Sequence, residues 1–288
     1  MTAGRVPAPA VQGALWMLFS GVCYVGSVTI LRDLGPAYSG FQLTFIRSVI
    51  AVIVLAPMFL HGRPASLWPE RPGALLLATA FVYLGIYLWM TAAAQMPVAD
   101  FFAIQFTTPL ITIVLATVIL RERPDAASWA ATLVGFAGVL IVVRPGVAEV
   151  GLGVLAALAC SFAYACVNTV VKSLTGTVSA TAIVFYSNLM LIPMSLPMGI
   201  ADWRTPPPAD WPAILGISVL TTLGYTTITK GISMAPVRVI QPVNFMRMPI
   251  AAAFGFAVFG EFPDLWTWVG AFVIFLSTSY TVRRGVRQ

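Results

Sequence analysis

Charged residues are scarce in this chain. Asp, Glu, Lys and Arg together make up 9% of its 288 residues, whereas soluble domains carry about 25%. Apolar residues account for 59% of the chain, and the mean hydropathy is +0.91. This balance excludes an ordinary water-soluble domain, because so little of the chain is polar enough to face water.

Residues that build metal and catalytic sites are scarce as well. The chain has one histidine, and Cys23, Cys160 and Cys166 fall in apolar stretches without the spacing of a metal site. It has neither a glycine-rich phosphate loop nor a Ser/His/acid or paired-aspartate constellation. We therefore expect no enzymatic activity, no catalytic residue, no metal and no cofactor.

What the chain has instead is ten apolar runs, each close to the roughly 20 residues with which a helix crosses a bilayer. The runs cover residues 12–31, 41–60, 74–95, 98–120, 126–143, 151–171, 180–200, 211–232, 237–258 and 265–282. Backbone polar groups in hydrocarbon need internal partners, and the runs lack the alternation of a β-barrel, so we expect helices. The sequence predicts an all-α integral membrane protein with ten transmembrane helices.

The chain also repeats itself. A shift of about 139 residues lays the second half on the first, with one residue of slippage near the start. The matched pairs include Pro97 and Pro236, Phe106 and Phe245, Glu122 and Glu261, Gly85 and Gly224, and Tyr24 and Tyr164. We expect two five-helix repeats, residues 1–145 and 146–288. Such a repeat is typical of secondary transporters, whose site lies where the halves meet.

Basic residues set the expected orientation. With the N-terminus in the cytoplasm, most Lys and Arg fall in cytoplasmic loops, and only Arg32, Arg144 and Arg204 fall on the outer side. Both termini are then cytoplasmic. Because five is an odd number, the second repeat is inverted relative to the first. The same asymmetry accounts for the net charge of +6, so no nucleic-acid partner is expected.

Motifs at matching places in the two halves resemble a known family. They are Met96–Ala99, Pro109, Leu120–Pro124, Trp129 and Gly135–Gly138 in the first half, and Ala235–Arg238, Pro249, Gly260–Pro263, Trp268 and Gly270 in the second. The whole chain resembles an EamA transporter of the drug/metabolite transporter superfamily, and some features resemble its YddG-type aromatic amino-acid exporters. The resemblance implies export of small metabolites, often amino acids. One difference is Arg121, which stands where the second half has Gly260.

The fourth and ninth helices carry the main candidates for substrate binding. Proline removes a helical hydrogen bond, so Pro109 is expected to free the carbonyl of Gln105, and Pro249 that of Phe245. Amides beside freed carbonyls near mid-bilayer would suit a ligand; alternatively, the amides join helices and the prolines only bend them. On an α-helical wheel, the ninth helix groups Gln241, Asn244, Phe245 and Met248, with Arg247 at the edge. The candidates are Gln105, Thr108, Gln241, Asn244 and Arg247.

Two arginines lie within apolar runs. A buried arginine costs at least about 2.5–3.5 kcal/mol on insertion scales and usually pairs with an acid, yet no Asp or Glu lies in the middle of a run. Arg247 is expected near the midplane, where it would either clamp a substrate carboxylate or donate to carbonyls exposed by Pro242 or Pro249. Arg47 is expected to extend towards the outer surface, with a role at the substrate as the alternative.

Aromatic and amide side chains complete the expected cavity. The inward faces of the first, third and sixth helices contribute Tyr24, Tyr83, Tyr87, Tyr164 and Asn168. Such a lining would suit a small zwitterion with an apolar or aromatic side chain. Alternatively, each ring has a structural role and packs against neighbouring helices or anchors its helix at the membrane–water interface.

Acidic residues are expected at helix ends. Asp100, in the first turn of the fourth helix, should satisfy the helix N-terminus, or else couple transport to protons. Glu122 and Glu261 are expected to cap the fifth and tenth helices, as Asp125 and Asp264 are.

The sequence therefore predicts an inner-membrane secondary transporter that exports small metabolites, foremost aromatic or other neutral amino acids, by alternating access through a central cavity. One alternative is export of nucleotide-related metabolites or drugs. A more remote one is a membrane enzyme or scaffold without transport. The expected partners are the small-molecule substrate and the lipid bilayer, and the protein is expected to be a monomer or a weak homodimer.

Overall fold

The computed structural model describes residues 8–34, 37–60, 71–93, 95, 104–122, 124–143, 151–201, 203–260 and 265–285. All regular elements in these ranges are helices. They are α1 (Ala8–Leu34), α2 (Gly40–Leu60), α3 (Pro72–Ala93), α4 (Thr108–Ile119), α5 (Ala126–Val143), α6 (Leu152–Leu174), α7 (Ala180–Ala201), α8 (Trp211–Met234), α9 (Val237–Ile240), a 3-10 helix (Gln241–Met246), α10 (Arg247–Phe259) and α11 (Leu265–Gly285).

These helices follow the ten predicted runs. α1, α2, α3, α6, α7 and α8 are long and apolar enough to cross a membrane, and α4, α5 and α11 are shorter apolar helices. α9, the 3-10 helix and α10 follow one another in the ninth run. The predicted fold class is confirmed. Asp100, at the predicted start of the fourth helix, lies outside the described residues, as do Glu261 and Asp264.

The main packing contacts join helices from the two halves of the chain. α1 packs along α8, α3 along α6, α2 along α7 and α5 along α11. Exchanging each helix for its repeat counterpart turns the first pair into the second and leaves the other two pairs unchanged, as inverted repeats around a pseudo-two-fold axis require. Small residues let the backbones approach: a Cβ added to Gly13 of α1 would lie 3.3 Å from the carbonyl oxygen of Gly231 in α8.

Polar contacts and an apolar core close one end of the bundle. The Lys172 ammonium, near the end of α6, donates to the carbonyl oxygens of Ile232, in the last turn of α8, and of Ala235, just after α8, at 2.7 Å each. Oε1 of Glu122 accepts from the backbone N–H of Val237, the first residue of α9, at 3.2 Å. A large apolar cluster packs here between α1, α3, α6, α7, α8, α9 and the 3-10 helix. Backbone carbonyls at the end of α8 and the first backbone N–H of α9, which have no partner within their own helices, thereby form hydrogen bonds with side chains.

The turn after α4 shows why one capping prediction is wrong. Arg121 has a φ of 55°, and Gly260, at the equivalent place after α10, has a φ of 67°. The left-handed turn is therefore kept although arginine adopts it less readily than glycine. Beyond it, Glu122 reaches Val237 in the other half and does not cap α5 as predicted. Asp125 does cap α5, because its carboxylate accepts from the backbone N–H of Ser128 at 3.0 Å.

At the opposite end, α2 is tied to the segment before α8. Nε2 of Gln42 donates to the carbonyl oxygen of Arg204 at 2.6 Å, and Oε1 of Gln42 accepts from the N–H of Arg204 at 3.2 Å. The Tyr38 hydroxyl donates to Oδ2 of Asp210 at 2.5 Å, and this bond raises the pKa of Tyr38 because the carboxylate holds its proton. These contacts fix the loops that α2 and α7 present at this end.

Candidate substrate-binding site

The ninth span breaks at its centre. Pro242 occupies the first turn of the 3-10 helix, and Pro249 the first turn of α10. A 3-10 helix has three residues per turn, so residues three apart eclipse one another. Gln241, Asn244 and Arg247 therefore fall in one line along this segment. The α-helical stripe predicted from the sequence is wrong here, since it left Arg247 at its edge.

Phe245 leaves the predicted stripe and enters the core. It is fully buried, and its ring centroid lies 6.2 Å from that of Phe106, its repeat counterpart. A Cβ added to Gly135 of α5 would lie only 2.7 Å from Cδ2 of Phe245, so the missing side chain at Gly135 makes room for the ring. Its carbonyl, which Pro249 was expected to free, accepts the backbone N–H of Arg247.

The side-chain amides of Gln241 and Asn244 form a hydrogen bond with each other, and the second polar atom of each amide has no partner among the described residues. Nδ2 of Asn244 donates to Oε1 of Gln241 at 2.7 Å. Nε2 of Gln241 and Oδ1 of Asn244 are buried and have no hydrogen-bond partner among the described residues. A buried unpaired donor or acceptor costs about 1–3 kcal/mol. The pair thus offers one donor and one acceptor at the centre of the span.

Arg247 follows this pair in the chain, and none of the described residues provides an acid for its Nε and Nη2 atoms. Its guanidinium carbon lies 4.8 Å from the centroid of the Tyr24 ring, within the range of a cation–π interaction. Nε and Nη2 are buried and, in the part of the chain that the structure describes, reach neither a carboxylate nor a backbone carbonyl. The expectation that Arg247 donates to carbonyls near the prolines is not met by these two atoms.

In the first repeat, the equivalent amide is that of Gln105, and both of its ends form hydrogen bonds within the protein. Oε1 of Gln105 accepts from the Ser161 hydroxyl at 2.7 Å and from Oγ1 of Thr108 at 3.4 Å. Nε2 of Gln105 donates to Sγ of Cys160 at 3.3 Å. The predicted candidates Gln105 and Thr108 are therefore brought together, but their polar atoms bind each other and α6.

Tyr24 and Tyr164 lie in matching surroundings. The ring of Tyr24 lies against Gly224 of α8, and that of Tyr164 against Gly85 of α3. A Cβ on Gly224 would lie 3.2 Å from the first ring, and one on Gly85 would lie 3.1 Å from the second. Each glycine lets a tyrosine of the other half lie flat across it near the middle of the bundle.

The remaining candidates are Tyr83, Tyr87 and Asn168. The ring centroids of Tyr83 and Tyr87 lie 5.4 Å and 6.5 Å from that of Phe41 in α2, and Tyr87 is 48% exposed. Asn168 is half-buried on α6, one turn beyond Tyr164. Tyr83 and Tyr87 thus belong to an aromatic group beside α2, and no contact described here joins them to the free polar atoms.

Two further polar residues, Arg47 and Tyr225, lie within electrostatic range of Tyr24. Arg47 is half-buried, and its charge acts on Tyr24, Tyr164 and Tyr225; the expectation that its side chain extends to the outer surface stays a prediction. The hydroxyl of Tyr225 is buried and faces the hydroxyl of Ser187. Polar residues inside apolar runs are the sequence signal for both, although the repeat offers no matching residue type, since Tyr225 aligns with Ile86.

Together, these residues can bind a solute but offer little for bond-breaking chemistry. The free atoms of Gln241, Asn244 and Arg247 supply three donors and one acceptor, beside an aromatic ring. Among the described residues, no group of three His, Cys, Asp or Glu side chains could hold a metal. The site is therefore suited to the recognition of a solute.

Comparison with known proteins identifies the family. The sequence model of the EamA-like transporter family matches residues 11–144 and again residues 151–283. The chain belongs to the EamA-like transporter family. One match falls in each predicted half, although the boundary at residues 145 and 146 stays a prediction.

Curated relatives extend over nearly the whole chain. A riboflavin transporter from Vibrio cholerae is 30% identical over 274 residues, which cover 93% of this chain and 92% of the relative. An S-adenosylmethionine uptake transporter from Rickettsia felis is 26% identical over 271 residues, which cover 94% and 92%. This EamA protein is thus a multi-pass membrane transporter of a small molecule and not an enzyme.

A solved crystal structure shares the EamA fold described above. It superposes with a TM-score of 0.83 at 16% sequence identity, over 96% of this chain and 98% of the solved one. The two relatives named above are a riboflavin transporter and an S-adenosylmethionine uptake transporter. Amino-acid export, including the YddG-type subfamily, therefore stays a proposal for this EamA protein.

Proposed function

We propose that the protein is a secondary transporter for a neutral metabolite with a planar heteroaromatic ring, of the flavin class, and that it works by alternating access. The observation that carries this proposal is the set of polar atoms around Arg247 that have no partner among the described residues. Gln241 Nε2 and two guanidinium atoms can donate, and Asn244 Oδ1 can accept.

This set complements the polar edge of a flavin ring. The pyrimidine-dione edge presents two carbonyl acceptors on either side of one N–H donor. Two donors and one acceptor of the site would satisfy that edge, and Tyr24 offers a ring surface beside it. A site whose buried donors and acceptors are paired only when the ring is bound would discriminate strongly for such a ring. The name of the Vibrio cholerae relative points to the same class.

Export of amino acids, aromatic ones foremost, is the second candidate. It is favoured by the unpaired guanidinium, which could bind a carboxylate through two parallel hydrogen bonds. S-adenosylmethionine, the solute named for the Rickettsia relatives, also carries a carboxylate. The described site has no acid for the ammonium group of an amino acid, and this makes amino-acid export the weaker candidate.

Counterflow in proteoliposomes tests both candidates. Labelled riboflavin, S-adenosylmethionine, phenylalanine, threonine and a nucleotide sugar would each be offered with and without a proton gradient. We expect riboflavin to exchange independently of the gradient. Exchange of phenylalanine but not riboflavin would favour the second candidate, and exchange of none would refute both. A requirement for the gradient would make Asp100 a candidate for proton coupling.

A matched pair of solutes tests the carboxylate clamp of the second candidate. If Arg247 binds a carboxylate, Arg247→Ala should weaken transport of amino acids more than transport of their amides, because only the former lose an ion pair. Equal losses for an amino acid and its amide would exclude the clamp.

A further inference from the structure

We infer that only one of the two repeat-related amide sites binds the solute, and that the missing hydroxyl at Gly21 is what keeps it open. The inference deepens the proposed function and rests on it, because it concerns how the same central site is built. It is drawn from a comparison of equivalent residues in the two halves.

The two sites start from equivalent residues and differ at their partners. Asn244 is the repeat counterpart of Gln105. Ser161 of α6, which holds the Gln105 side chain, has Gly21 of α1 as its counterpart. A hydroxyl thus stands beside the amide of the first repeat, whereas the second repeat has no side chain at that place.

In the first repeat, both ends of the Gln105 amide are hydrogen-bonded within the protein. The Ser161 hydroxyl lies within hydrogen-bond distance of three oxygens, those of Gln105, Ala157 and Ile104, and the contact to Oε1 of Gln105 is the shortest at 2.7 Å. The other end of the same amide donates to Cys160. A solute would have to break these bonds before it could bind Gln105. The free energy gained from its new hydrogen bonds would therefore be largely offset by the loss of the existing ones.

In the second repeat, Oδ1 of Asn244 and two donors of Arg247, Nε and Nη2, have no partner among the described residues. Gly21 cannot donate to Asn244, whose Oδ1 stays unpaired among the described residues. A Cβ at Gly21 would lie 3.3 Å from Cγ of Arg247 and 3.3 Å from Cδ1 of Ile250. The glycine therefore also admits the stem of Arg247, which stands where the first repeat has Thr108.

The consequence is a fixed orientation of the solute. Its polar edge should face the ninth span, where donors and an acceptor are free. The first repeat should contribute apolar and ring surface, such as Tyr164 across Gly85. An otherwise pseudosymmetric cavity would in this way bind an asymmetric molecule in one direction only.

Three variants test the inference: Gly21→Ser, Gly21→Ala and Ser161→Ala. Gly21→Ser places a hydroxyl where the first repeat has one, so the KM for riboflavin counterflow should rise about tenfold while the Tm of the detergent-solubilised protein stays equal or rises. Gly21→Ala adds only a methyl group that needs shifts of a few tenths of an ångström, so its KM should stay within about threefold. Ser161→Ala removes the partner of Gln105 and should lower the Tm by about 2–4 °C, with KM within about twofold.

Two results would overturn the inference. Equal increases in KM for Gly21→Ser and Gly21→Ala would assign the effect to crowding of Arg247 and not to the hydroxyl. A tenfold increase for Ser161→Ala, without a lower Tm, would place the solute at Gln105. If the wild type does not carry riboflavin, the proposed function fails separately. The KM series is then measured with the solute of the panel that is carried, and the Tm comparison needs no solute.

Discussion

At the scale of single residues, Arg247 is notable because it is a cation with buried donors inside an apolar span. Its guanidinium lies against Tyr24, with Nε and Nη2 buried and unpaired in the described part of the chain. Unsatisfied donors of a charged group in a poorly hydrated place cost stability. Acceptors of a bound solute would offset this cost, which is a reason for keeping such a residue at a binding site.

We expect Arg247→Lys to weaken solute binding although it keeps the charge. Lysine cannot present two parallel donors or a planar group against the Tyr24 ring. The KM for counterflow should rise about tenfold or more, which corresponds to about 1.4 kcal/mol. Arg283→Lys, at the exposed end of α11, is the matched control and should transport like the wild type. A wild-type KM for Arg247→Lys would remove Arg247 from the site.

At the scale of elements, the break in the ninth span brings the candidate binding residues together. Three residues span 360° in a 3-10 helix but about 300° in an α-helix. The 3-10 segment Gln241–Met246 therefore aligns Asn244 with Arg247, while an uninterrupted α-helix would rotate them about 60° apart. The prolines at 242 and 249 favour the break because each lacks a backbone donor.

We expect Pro249→Ala to reduce solute affinity without reducing thermal stability. The new N–H allows the α-helix to extend backwards through the 3-10 segment, which gains a hydrogen bond and moves Asn244 out of line with Arg247. Counterflow KM and Tm would be measured together. Pro212→Ala at the start of α8, where no N–H is needed, serves as the control. An unchanged KM for Pro249→Ala would contradict this account of the break.

The same element shows how far the sequence could lead. The apolar runs and the register of the repeat are properties of the chain alone, so the ten spans, Gln241, Asn244 and Arg247 were within reach of prediction. The position of Phe245 was not, because the phase of the helix changes where Pro242 and Pro249 interrupt it and where Gly135 of α5 makes room for the ring. The partner of Glu122 depends on a helix from the other half, which no local pattern encodes.

At the scale of the whole molecule, the two repeats interlock so that neither half is a separate body. Each main helix pair, such as α1 with α8, joins one helix from each half. In the alternating-access cycle that we propose, rocking of the halves would slide these pairs along their small residues. The turn after α6, with Gly176, and the segment before α8, with Thr205, lie at the two ends of α7 and are both exposed.

We expect both termini to be cytoplasmic, which predicts the accessibility of these two loops. In a background without the native cysteines, Thr205→Cys should react with a membrane-impermeant maleimide in intact cells. Gly176→Cys should react only in inside-out vesicles, because the excess of basic residues marks its side as cytoplasmic. The opposite pattern would show that the protein is inserted the other way round.

The charge of Arg247, whose Nε and Nη2 have no partner among the described residues, also has an electrical consequence in the alternating-access cycle that we propose. When access alternates, the water-filled side of the cavity changes, so the guanidinium passes from one side of the voltage drop to the other without moving far itself. A full elementary charge gains about 2.3 kcal/mol for each 100 mV that it crosses. An inside-negative potential should therefore favour the empty carrier that is open to the cytoplasm, and transport of even a neutral solute should respond to voltage.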